Sequence, residues 1–184
     1  MELLKALNDI MPKLGERPVT SLDQKHPTVA IVLPIVERTL RELLQDGWWF
    51  NKYEYTAYPN SEGEITLGVD TLSFVPYQPN TAVVRGLKLF NPKNLSFKFD
   101  APVQGQIIQY VQFDELPESA ASYVFYSALV AAFVTDLGVT QEFQVWQGKA
   151  VGAWSAFLTE HLRQMQFSTK RSPKWRQIRR AMQG

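Results

Sequence analysis

The sequence predicts an α+β protein: a helical bundle of about four helices plus a short C-terminal helix, with an antiparallel β domain inserted into it. Apolar residues recur at helical spacing before residue 47 and again after residue 114. Between these stretches aromatic residues, Pro and Gly crowd together. A chain of 184 residues suits one domain with a modest insertion. The expected division is a bundle over 1–47 and 114–167, a β insertion over 48–113 and a basic C-terminal arm over 168–184.

The first helix is read from Leu3, Leu4, Leu7, Ile10, Met11 and Leu14, with Gly15 as a left-handed terminator. Pro27 opens a second apolar stripe of Val29, Val32, Leu33, Val36, Leu40, Leu43 and Leu44, ended by Gly47. Pro34 lies inside this stripe and is expected to kink or split the helix, because its ring clashes with the carbonyl four residues earlier. Candidate strands are 53–58, 64–67, 71–75, 82–90, 95–99 and 106–113, with Asn91-Pro92-Lys93-Asn94 as a hairpin turn and Gly86 as a bulge or close backbone approach.

Leu116-Pro117-Glu118 starts a third helix reaching about Leu137, with Asp114, Glu115 and Glu118 placed to favour its N-terminal dipole. Its residues leave hardly any polar face, so it is expected in the middle of the bundle rather than across a membrane. A fourth, amphipathic helix is expected over about 140–167, with Phe143, Trp146, Ala150, Trp154, Phe157, Leu158, Leu162 and Met165 at helical spacing. Ser172 and Pro173 then cap a short last helix whose stripe is Trp175, Ile178 and Met182.

Charge is distributed unevenly along this layout. The net charge is only +1, which argues against a whole-molecule grip on nucleic acid or membrane. The last 24 residues, however, hold seven basic and no acidic side chains, whereas the first 160, with twelve basic and eighteen acidic ones, carry −6. The absence of cysteine excludes disulfides, thiolate zinc sites and a cysteine nucleophile, and fits a reducing compartment. Residues 1–14 do not read as a signal peptide.

Chemistry-bearing motifs are sparse. His26 and His161 each stand alone and read as surface residues, so no metal ligand, cofactor site or catalytic residue is assigned. No phosphate-cradling loop or nucleophile elbow occurs. The aromatic run Trp48, Trp49, Phe50, Tyr53, Tyr55 holds only Lys52 as a basic residue. It therefore reads as packing at the helix-to-sheet junction rather than as a stacking platform for single strands. The arm stands out: a capped, aromatic-bearing, carboxylate-free helix is built to dock on something acidic, and Trp and Arg are the side chains that anchor interfaces.

Six fragments, in order, carry a resemblance: Leu7-Asn8-Asp9-Ile10, Leu14-Gly15-Glu16-Arg17-Pro18-Val19-Thr20-Ser21-Leu22, Gly47-Trp48-Trp49-Phe50-Asn51, Asp70-Thr71-Leu72-Ser73, Arg85-Gly86-Leu87-Lys88-Leu89-Phe90 and Phe113-Asp114-Glu115-Leu116-Pro117-Glu118. Together they resemble the tail tubular protein A family of short-tailed bacteriophages over residues 3 to about 160. The resemblance implies a virion structural protein without enzymatic activity. Such a protein is a head-to-tail adaptor or gatekeeper ring, usually dodecameric, beneath the portal protein, with a tail nozzle protein (tail tubular protein B-like) on its other side. Genomic DNA passes through its channel without sequence recognition, and no membrane insertion is implied. It also implies residence in the virion tail after assembly in the bacterial host cytoplasm.

Relatives reach the portal with C-terminal segments, so Lys170, Arg171, Lys174, Trp175, Arg176, Ile178, Arg179 and Arg180 are the expected portal-binding residues. A mildly acidic body suits a channel through which DNA slides without sticking. Two other readings compete. One is a carbohydrate-active hydrolase of a phage tail using Asp70, Asp100, Asp114 or Glu115. The other is a DNA-binding module acting through the arm.

Overall fold

The computed structural model describes residues 1–22, 26–138 and 141–165. The fold is α+β, with helices α1 (Leu3–Ile10), α2 (Pro27–Gln45), α3 (Glu118–Leu137) and α4 (Gln141–Gln164). Five strands lie between α2 and α3: β1 (Lys52–Ala57), β2 (Thr71–Pro76), β3 (Val83–Arg85), β4 (Lys88–Phe90) and β5 (Val103–Gln109). The expected arm and the last residues of the expected fourth helix lie outside the described residues.

The first helix is shorter than its apolar pattern. Pro12 has no N–H to continue the α ladder, so Met11–Leu14 tightens into a 3₁₀ turn, and Gly15 closes it at φ +79°. Asn8 then clamps the following loop: its amide donates to the Val19 carbonyl and accepts from the Val19 N–H, both at 2.8 Å. Pro34 does not split the helix, since α2 runs unbroken from Pro27 to Gln45. Its N-terminus is capped by His26, whose Nδ1 accepts from the Thr28 N–H at 3.2 Å.

Two separate cores result. The helical core joins α1, α2 and α3 with Trp48, Phe113 and Phe157. The smaller core lies in the β region, around Ala57, Ile65, Leu67, Phe74, Leu89, Phe99, Val103 and Ile107. The sheet above it has strand order β1-β5-β2, all antiparallel, and β3 and β4 form a separate hairpin. Gly105 on β5 allows β2 to come close: a Cβ there would sit 2.4 Å from the Val75 carbonyl oxygen.

Several expected strands are replaced by turns. The 82–90 stretch divides at Gly86, which takes φ +62° and makes the turn between β3 and β4 instead of a bulge. Residues 64–67 make only isolated bridges, Glu64 with Lys98 and Thr66 with Lys88, although Ile65 and Leu67 are buried. Residues 95–99 form no strand. Asn91 and Ser96 close a turn, Leu95 takes φ +52° and points outward, and the side chains of Asn91, Asn94 and Ser96 accept the local N–H groups that a ladder would need. The last strand is shifted to Val103–Gln109, after which Phe113–Glu115 forms a 3₁₀ turn. Across the β region, Lys88 Nζ lies 2.6 Å from a Glu64 carboxylate oxygen and holds that carboxyl below its usual pKa.

Asp114 does not serve the helix it precedes. Its Oδ1 accepts from the Leu3 N–H at 2.5 Å, capping α1, whose own N-cap residue Glu2 offers no side-chain bond. The Met1 ammonium group lies 3.0 Å from Glu118, so the chain start is held against the start of α3. Eight α3 side chains, from Ala120 to Phe133, are buried, although by length and composition the helix is apolar enough to cross a membrane.

The two cores meet at Asn51, which has no exposed surface and is the one buried polar residue among the described ones. Its Oδ1 accepts from the Trp48 N–H at 2.7 Å, and its Nδ2 donates to the Leu44 carbonyl at 2.9 Å and the Gln109 carbonyl at 3.0 Å. One amide thus ties the end of α2, the Trp48 turn and β5 together. Asn51→Leu leaves these three backbone groups short of a partner, and urea unfolding is expected to show a loss of about 2–4 kcal/mol. Asp114→Ala, which uncaps α1, is expected to cost about 0.5–2 kcal/mol in the same assay, and an unchanged midpoint would remove the capping role.

Candidate assembly surfaces

The aromatic run after α2 is divided between two environments. Trp48 is buried, donates its indole N–H to the Leu43 carbonyl at 2.6 Å and meets Phe157 edge-on at a centroid distance of 4.5 Å. Trp49 packs on Phe157 and on Phe50, as expected of a helix-to-sheet junction. Tyr53, Tyr55 and Tyr58, in contrast, are exposed along β1 and just beyond it. Because β1 is an edge strand, paired with β5 on one side alone, Tyr53 and Tyr55 have no strand on their other side. They therefore contribute to a surface and not, as expected for Tyr53 and Tyr55, to the junction.

The histidines also differ from expectation. His26 caps α2, with Nε2 3.8 Å from the Glu16 carboxylate. His161 is not a free surface residue: its ring lies 5.1 Å from that of Trp48 and 5.6 Å from that of Trp49, and its Nδ1 is buried without a hydrogen-bond partner. No group of three or more potential metal-ligating side chains occurs among the described residues.

A cleft of about 610 Å³ opens between α2 and the start of β2. Glu37, Arg38, Arg41, Asp70 and Tyr110 line it, so opposite charges are mixed within it. The Arg41 guanidinium sits 5.4 Å from the Tyr110 ring centroid. Burial raises the Tyr110 hydroxyl pKa, Glu37 adds to the rise and Arg41 opposes it. Of the four carboxylates considered for hydrolysis, only Asp70 lies here. Asp114 lines a second cleft beside Leu3 and is already engaged with that residue's N–H. Asp100 and Glu115 are exposed. Neither cleft holds two of the four.

What the described surface does offer is apolar area. Val134 on α3 and Val145, Val151 and Leu162 on α4 are about 40–60% exposed, and Phe157 is the one fully buried side chain of α4. The expected portal-binding residues Lys170, Arg171, Lys174, Trp175, Arg176, Ile178, Arg179 and Arg180 lie outside the described residues. Sequence reasoning missed Asn51, Asn8 and the role of Asp114. Asparagine in the short loop after the second apolar stripe was the available signal for Asn51, whereas Asn8 sits inside α1, where only its low helix propensity sets it apart.

A family profile described as "Tube: Tail tubular protein" matches residues 4–168. The tail tubular protein A of Klebsiella phage KP34 is 30% identical over 182 residues, covering 98% of each chain. The chain therefore belongs to the tail tubular protein family, and is a structural component of a bacteriophage tail.

Proposed function

We propose that this protein forms the adaptor ring between portal and tail nozzle, a dodecamer of identical copies with genomic DNA passing through its channel. The observation that carries this reading is the match to a tail tubular protein A along nearly the whole of both chains. A ring of identical subunits needs two different side surfaces that complement each other, and it needs no catalytic pocket. The exposed apolar side chains of α3 and α4 and the exposed tyrosines at the β1 edge supply candidate side surfaces.

In this reading the chain divides into a helical bundle over 1–47 and 114–167, a β insertion over 48–113 and an arm over 168–184. The presence of two separate hydrophobic cores supports the division. The arm, through Lys170, Arg171, Lys174, Trp175, Arg176, Ile178, Arg179 and Arg180, fastens the ring to the portal. Its charge supports this role, because six basic side chains without an acidic one favour an acidic docking surface. The body's −6 lets DNA slide, since each added Lys or Arg contact with phosphate would strengthen binding. Assembly takes place in the host cytoplasm before the ring becomes part of the virion tail.

Electron microscopy of the purified protein mixed with its portal tests the reading, with a closed ring coaxial with the portal as the expected result. Removal of residues 168–184 is expected to leave the circular dichroism spectrum of a folded protein and to abolish joining to portal rings. Unaltered joining would refute the arm's role.

A further inference from the structure

One residue of the β region is strained and exposed at once. Leu95 takes φ +52°, and among the described residues Asn80 is the other non-glycine residue at positive φ. Asparagine tolerates the left-handed region, whereas a leucine there brings its Cβ too close to the following carbonyl oxygen. The Leu95 side chain is also 77% exposed, so packing within the chain does not offset that strain. The loop holds it firmly all the same. The Asn91 N–H donates to the Ser96 carbonyl at 2.7 Å, and Asn94 Oδ1 accepts from the Ser96 N–H at 3.2 Å and from the Ser96 hydroxyl at 2.9 Å. Phe97 packs edge-on against Phe90 at a centroid distance of 5.3 Å.

We propose that Leu95 is a knob seated in a groove of a second copy of this chain, where Leu3, Val36, Leu40 and Phe113 supply the apolar lining and Glu37 and Asp114 the charge. That groove holds about 270 Å³ and lies between the start of α1, the middle of α2 and the segment that follows β5. Glu37 and Asp114 are its two charged side chains, and both are exposed. Charge selects the occupant. Residues 82–99 carry four basic side chains and no acidic one. Lys88 is engaged with Glu64, Lys98 with the Glu62 carbonyl and Arg85 with the Phe90 ring. Lys93, exposed and two residues from Leu95, is left to meet a carboxylate.

An apolar tip beside a cation thus matches an apolar groove with an acidic rim, and the match is between two different patches of one molecule. The groove of its own chain is not the seat, since Leu95 stands exposed. Heterologous contacts of this kind make rings where the rotation closes. The inference therefore rests on the ring reading and names one of the ring's side contacts. It also accounts for a leucine where glycine or asparagine would suit the backbone better, because neither would fill an apolar groove.

Leu95→Gly in the full-length chain separates fold from contact. The variant is expected to unfold in urea at or above the midpoint of the unaltered chain, because glycine accepts the positive φ, and to form rings about tenfold more weakly by sedimentation. A lowered midpoint would overturn the proposal, since Leu95 would then serve its own fold. Lys93→Glu is expected to weaken ring formation as well, and Glu37→Lys added in the same chain to restore it, because every contact then pairs the exchanged charges. A double variant no better than Lys93→Glu alone overturns the seat. Rings that form unaltered with Leu95→Gly overturn this inference and leave the ring reading standing, whereas an unaltered chain that forms no ring, alone or with its portal, removes both. Unaltered rings together with Leu95-dependent binding to vesicles of anionic phospholipid would give the tip to a membrane instead.

Discussion

A single buried amide holds the architecture together. Helix α2 and strand β5 belong to different cores, and the turn between α2 and β1 must leave one and enter the other. Each such crossing exposes backbone groups to an environment in which they have no ladder partner. Asn51 resolves this with all three of its side-chain bonds, to Trp48, Leu44 and Gln109, and its own carbonyl accepts the Gln109 N–H at 2.9 Å. With the turn fixed in this way, Trp48 is directed into the helical core against Phe157, and the β1 tyrosines emerge on the outer side.

The same device recurs at smaller scale. Asn8 binds both backbone groups of Val19, Asp114 caps a helix that begins 111 residues earlier in the chain, and the Met1 ammonium meets Glu118. Four of the six fragments that carry the family resemblance contain Asn8, Asn51, Asp114 or the Gly86 turn. Their chemistry is that of backbone satisfaction, which suits a structural component of a tail, whose work is to hold shape under load and to present faces to neighbours.

Apolar side chains are exposed on α3, on α4 and across the β region. Helix α3 is apolar nearly all round, yet only part of its surface is buried, and α4 commits one side chain fully to the core. A free monomer gains little from apolar side chains left in water, whereas a protein that is completed by its neighbours recovers that burial on assembly. The mixed charges of the α2–β2 cleft and the engaged state of Asp114 fit this division of labour, in which the surface holds contacts and the interior holds the fold.

The sequence alone determined the α+β class, the helix positions, the proline and glycine stops and the uneven charge, because periodicity and backbone preference are local properties. It also determined family membership, through six short fragments in order. Tertiary structure decided the rest. Whether 95–99 became a strand depended on side chains of Asn91, Asn94 and Ser96 that offered the backbone a better local alternative. The partner of Asp114 depended on bringing Leu3 across from the far end of the chain. The packing of His161 on Trp48 and the exposure of Tyr53 were set by which way the Trp48 turn faces. Contacts between distant residues decide such outcomes, and no local pattern encodes them.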